Sequence, residues 1–143
     1  MEDLIFLPYE KRYKYPGMAP LDVQIWERFI EQNPAAFDEV AYNVAVGGGT
    51  PLDTVVNTNT GGDINRLYQR KIDVVGKVAA GYVITEIKPR ATTSAIGQVK
   101  GYATLFIRDF APSGVVDALV ITDSLMPDIE FLAKQENVKI LVA

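Results

Sequence analysis

Arg70-Lys71-Ile72-Asp73-Val74-Val75-Gly76 and, after an Ala79-Ala80-Gly81 bend, Tyr82-Val83-Ile84-Thr85-Glu86-Ile87-Lys88-Pro89 are the two runs whose reading decides the fold. β-Branched residues fill both arms and small residues fill the bend, which is the pattern of a β-hairpin. Side chains on a strand alternate with a period of two. A two-residue turn therefore puts Asp73, Glu86 and Lys88 on one face in either of its registers. A three-residue turn breaks that parity unless a bulge restores it.

Two carboxylates on neighbouring strands lie roughly 4.5–8 Å apart, close enough to hold one small hard cation between them. Like charges at that distance repel, so the pair needs a cation or a proton. A lysine two residues on adds a point charge that holds an anion or steadies a developing hydroxide. Acid, acid and ammonium at one spot describe a metal-assisted site for phosphodiester hydrolysis. Alternating polar residues also make an ordinary solvated strand face. What sets this stretch apart is the conjunction of Asp73, a Glu-x-Lys after twelve intervening residues, and a helix-like run beyond it.

Asp73…Glu86-Ile87-Lys88 resembles the signature of the PD-(D/E)XK nuclease superfamily, and Gln98-x-x-x-Tyr102 resembles the helical motif of its RecB-like branch. The resemblance runs from Trp26 to Phe110, and Ile72 stands where a proline often precedes the first aspartate. It implies a restriction-endonuclease-like α/β fold, an α-β-β-β-α-β core with a mixed central sheet flanked by helices. It also implies Mg²⁺- or Mn²⁺-dependent cleavage of nucleic acid, DNA before RNA. By that resemblance Asp73 and Glu86 are metal ligands aided by the main-chain carbonyl of Ile87, and Lys88 positions or activates the attacking water. Gln98 and Tyr102 would hydrogen-bond a DNA phosphate or the lysine and its water. Read from their place on the same helix, Lys100 and Arg108 either neutralise phosphates or form its solvated surface. The first helix of the superfamily often gives a third acid. Glu27, beside Trp26 at the edge of an apolar stripe, is the candidate, while Glu31 turns towards solvent. Trp26-Glu27 with the later Glu-Ile-Lys-Pro is also similar to small head-completion nucleases of tailed phages. A homodimer that cuts both strands and contacts with phage structural proteins are among the partners so implied.

With 143 residues the chain is long enough for one domain with a sizeable core. Its 48% hydrophobic and 22% charged residues are those of an ordinary soluble globular protein. No run approaches the ~20 apolar residues that span a bilayer. A cytoplasmic setting, or a phage particle, is therefore expected. The chain has no cysteine or histidine, so disulfides, thiolate chemistry and the commonest zinc ligand are excluded. Chemistry must use carboxylates, lysine, tyrosine, hydroxyls or an oxygen-ligated metal. A net charge of −4 opposes a strong nonspecific grip on DNA. The rival to an enzyme is thus a catalytically silent nuclease-like structural or binding protein, for example a component of a phage particle.

Residues 1–20 read as an irregular arm ahead of a domain over 21–143, with Lys11, Arg12 and Lys14 interleaved among Tyr9, Tyr13 and Tyr15 as a solvated cluster. Pro20 and Asp22 announce a helix to Gln32 that buries Val23, Ile25, Trp26, Phe29 and Ile30. A strand follows over 38–46, and Gly47-Gly48-Gly49 breaks it. The run over 47–67 is a long polar connection, without the helix and lysine tail of a phosphate loop. Pro89 should end the hairpin. A helix over 94–108, a buried strand over 115–122, a helix over 127–135 and a strand over 138–142 complete the α/β pattern.

Overall fold

The bend between the central runs is a two-residue turn joining β3 (Arg70–Val78) to β4 (Gly81–Arg90), with Val78 opposite Gly81 and Val74 opposite Thr85. Gly81 is required there. At its φ of +153° a Cβ would lie 1.9 Å from the carbonyl oxygen of Val115. The computed structural model describes Met1, residues 4–48 and residues 69–143. The connection expected over 47–67 falls almost wholly outside them.

Among the described residues the sheet has six strands, adding β1 (Leu7–Pro8), β2 (Glu39–Val46), β5 (Val115–Ser124) and β6 (Lys139–Val142) in sequential order. β1 to β4 run antiparallel, while β5 and β6 continue parallel to β4. The sheet is therefore mixed, and the expected α-β-β-β-α-β core is present within it. α1 (Pro20–Gln32) covers one face, burying Ile25, Trp26, Phe29 and Ile30 in one cluster with Val40, Val74, Ile87 and Ile121. α2 (Thr93–Phe110) covers the other, where Ile96, Val99 and Phe106 share a cluster with Ile72, Val75, Ile84 and Val120. α3 (Pro127–Gln135) adds Ala133 to that second cluster. Burying each large side chain contributes about 1.5–3 kcal/mol, so these two stripes dominate the stability of the fold. None of the described helices is long and apolar enough to cross a membrane.

Three expectations need revision. β4 runs through Pro89 to Arg90, because beyond Thr85 its only partner among the described residues is β5 and a missing N–H on the open side costs no rung. The first half of β5 is largely solvated, and only Leu119–Thr122 are buried. The N-terminal arm is irregular apart from β1, yet Tyr15 is buried and Tyr9 packs edge-on to Phe37 at 5.3 Å. Only Tyr13 of the three tyrosines stands fully in solvent.

Two features of the sheet shape its centre. Ala41 and Val44 both lie on the α2 side, as do Ile72 and Val75, whereas Val40 and Val74 lie on the α1 side. Residues three apart on a regular strand face opposite ways, so β2 and β3 both slip by one, at Asn43 and Asp73. Asn43 absorbs the slip in a left-handed conformation, φ 53°, which asparagine tolerates better than most residues. Pairing resumes on either side, Tyr42 with Val74 and Val44 with Ile72. The second feature is a fork. β3 and β4 pair only as far as Val74 and Thr85, after which β3 stays with β2 and β4 stays with β5.

Gly76 marks tight packing below the fork, where a Cβ would lie 2.3 Å from the Phe37 ring. Gly76→Ala is expected to lower stability by about 1–3 kcal/mol, as overpacked cores do. Urea melts of the single variant and of Gly76→Ala with Phe37→Leu check it. The second change should recover part of the loss.

Candidate active site

At the mouth of the fork, side chains replace the missing ladder. The Asp73 N–H donates to Glu86 Oε1 at 3.2 Å, and the Ile87 N–H donates to Asp73 Oδ2 at 2.9 Å. Each acid thus holds a main-chain group of the opposite strand, and the two carboxyls meet. Glu86 is buried, with 2% of its surface exposed. Burial, reinforced by the neighbouring Asp73 charge, pushes its carboxyl up to about 9. Burial also raises Asp73, against the pull of the Ile87 N–H, the Glu86 hydrogen bond and Lys88. Both causes favour a neutral Glu86 beside Asp73.

Lys88 is half-buried on the same strand, and its charge favours ionisation of both acids. Its ammonium makes no ion pair among the described residues. The three central residues of the sequence pattern therefore share one electrostatic site. A third acid also acts on it. Asp22, in the first turn of α1, is raised by burial and then by the charge of Asp73, while Lys88 opposes the shift. Sequence reasoning read Asp22 only as a helix-start residue. The one available signal was its place at the end of α1, and nothing local says which end of a helix overhangs a fork.

Glu27 does not take the place expected of it. Its Oε2 accepts the Tyr15 hydroxyl at 2.9 Å, and that hydroxyl accepts the Arg12 N–H at 2.8 Å. Glu27 therefore pins the N-terminal arm to α1 instead of joining Asp73 and Glu86. Among the described residues no three acids come together closely enough to form a cation cage by themselves. Gln98 and Tyr102 do share a face of α2, with Gln98 Nε2 donating to the Tyr102 hydroxyl at 2.7 Å. Neither hydrogen-bonds the acid pair or Lys88 among the described residues. Lys100 lies elsewhere. Two residues from Gln98, it points about 200° round the helix, and its ammonium pairs with Glu136 at 2.6 Å beside α3. Arg108 pairs with Asp109 at 2.8 Å on the solvent side.

Comparison with known proteins fits this geometry. Residues 63–142 match the family model described as the endonuclease NucS C-terminal domain. That span holds Asp73, Glu86, Lys88, Gln98 and Tyr102, while Asp22 and Glu27 precede it. No protein of curated function matches the chain in sequence. Among solved structures, a crystal structure of a protein of unknown function matches at TM-score 0.52 and 16% identity, covering 85% of this chain and 58% of its own. A repair endonuclease from Pyrococcus abyssi matches at TM-score 0.50 and 16% identity, covering 94% of this chain and 49% of its own. A structure of an EndoMS–double-stranded DNA complex matches at 0.50 and 14%, covering 94% and 48%. At these identities the likeness is one of fold, and the chain spans about half the length of those structures. With more than half of its residues inside the match, this chain belongs to the family of the endonuclease NucS C-terminal domain.

Proposed function

We propose that this chain is the catalytic domain of a metal-dependent nuclease that hydrolyses phosphodiester bonds in DNA. The observation that carries the reading is the meeting of Asp73 and Glu86 in the sheet fork with Lys88 beside them, an ammonium that forms no ion pair among the described residues. A buried Glu86 against a partly buried Asp73 makes a poor resting place for a second negative charge and a good one for a cation. Their donors are hard oxygens, and no histidine or cysteine exists to bias the site towards softer metals. Asp73 and Glu86 would hold Mg²⁺ or Mn²⁺, with the Ile87 carbonyl as a third donor. When bound, the cation supplies Lewis acidity and lowers the pKa of a water. Lys88 would position or deprotonate the attacking water, Asp22 would add negative charge nearby, and Gln98 with Tyr102 would contact the strand being cut. DNA as the substrate is supported by the family and by two fold neighbours, one called a repair endonuclease and the other an EndoMS complex with double-stranded DNA.

Isothermal titration with Mn²⁺ and cleavage of supercoiled plasmid test the reading together. The chain is expected to bind the cation at a site that Asp73→Asn removes, and to cut only when the cation is present. Cutting that persists in EDTA, or a binding heat that Asp73→Asn leaves unchanged, would exclude it.

A further inference from the structure

Between α2 and the first residues of β3 lies an open cavity of about 460 Å³ lined by Arg70, Gln98, Tyr102, Gly97, Gly101 and Leu105. Three observations mark it as built for a ligand. Tyr102 is more than nine-tenths buried, at 7% exposure, and reaches this cavity. Its hydroxyl meets the Gln98 side-chain amide at 2.7 Å, which occupies one of the hydrogen-bonding positions on that oxygen and leaves others for a ligand. Arg70 is exposed at the rim and pairs with no carboxylate among the described residues. Finally, glycine destabilises a helix interior more than any residue but proline, yet α2 carries two. A Cβ at Gly97 or at Gly101 would meet nothing within 4 Å. Nothing in the packing asks for either glycine, so what they keep open is the cavity.

We infer that this cleft seats the sugar–phosphate backbone of the cut strand beside the scissile bond, with Arg70 holding a flanking phosphate and the two glycines admitting the backbone against α2. This rests on the nuclease reading above. Arg70 precedes Asp73 by three residues, roughly 10 Å along a strand. One DNA strand rises about 3.4 Å per nucleotide, so the phosphate on Arg70 lies within about three nucleotides of the cut. The Tyr102 hydroxyl hydrogen-bonds the same backbone. The polar lining is the Arg70 cation, the Gln98 amide and the Ser94 and Tyr102 hydroxyls, beside Leu105; such groups suit a sugar–phosphate backbone, so the cleft positions the strand without reading its sequence.

The test compares Arg70→Gln, Gly101→Ala and Gly101→Leu. Binding of a fluorescent DNA duplex is followed by anisotropy with Mn²⁺ in a Lys88→Ala background, and cleavage is followed with Lys88 intact. Arg70→Gln and Gly101→Leu are expected to weaken binding at least about tenfold, with the loss in cleavage falling on KM. Arg70→Gln should also flatten the salt dependence by about one phosphate contact. Gly101→Ala should raise the melting temperature while weakening binding, an opposition that a purely structural glycine cannot produce. If Gly101→Leu fails to fold, the other two variants decide. Variants that bind like their parent, where the parent binds and cuts, overturn the cleft alone. A parent that neither binds nor cuts DNA overturns the nuclease reading and the cleft with it.

Discussion

Lys88→Ala should cut the rate of metal-dependent DNA cleavage by about 10²–10⁴-fold, the range that a positioned proton-transfer group contributes, while the protein stays folded. The two halves of that expectation have separate causes. The hydrogen bonds that close the fork run between Asp73, Glu86 and the N–H groups of Asp73 and Ile87, and none of them uses Lys88. Its ammonium makes no ion pair that would be lost among the described residues. What disappears is a cation whose charge acts on both acids. Lys88→Arg should not rescue the rate, since a guanidinium keeps its proton and matches a different geometry. Plasmid nicking read beside a thermal melt separates chemistry from folding. Cleavage that survives Lys88→Ala at full rate would remove the lysine from the mechanism.

The second large effect is on stability, and its sign is unusual. Most acids in folded proteins are held below their ordinary range, so stability is lost as pH falls. Glu86 is the reverse, raised from 4.5 to about 9. Between those values the metal-free folded state keeps a proton that the unfolded chain has released. Stability must then decline as pH rises, at up to about 1.4 kcal/mol per pH unit for one proton. The rise of Asp73 adds to the same trend. Glu86→Gln keeps an acceptor for the Asp73 N–H and a donor for the Asp73 carboxylate but carries no charge. In EDTA at pH 8 it should be more stable than the parent by about 2–4 kcal/mol, and its stability should be nearly flat from pH 5 to 8. Urea unfolding across that range provides the measurement. Parallel pH profiles for the two proteins would mean that the acids do not share a buried proton.

How much of this was legible in the residues follows from what local pattern encodes. The hairpin was readable because β-branched arms and an Ala-Ala-Gly bend permit little else. The meeting of Asp73 with Glu86 followed from the turn length alone. The slip at Asn43 and Asp73 was not readable, since it depends on two strands departing from regularity together. The third acid was misplaced for a related reason. Helical periodicity locates the edge of the buried stripe, which drew attention to Glu27, but it does not say that the first turn of α1 carries Asp22 towards the fork. The pairing of Lys100 with Glu136 was not readable either, because proximity in sequence to Gln98 says nothing of the partner its angle round the helix brings near. The tyrosines of the arm were read as solvated, and their aromatic contacts with Trp26, Phe37 and Tyr42 are long-range facts that no window of sequence contains.

The substitution of carboxylates for ladder rungs also bears on how such a domain could lose its activity over generations. An enzyme whose reactive groups merely decorate a scaffold can shed them one by one and persist as an inert shell. Here each acid also fastens a strand, so a change to alanine would unlatch the architecture along with the chemistry. Relatives that keep the fork are therefore expected to carry either the acid or its amide at positions 73 and 86, and alanine at neither.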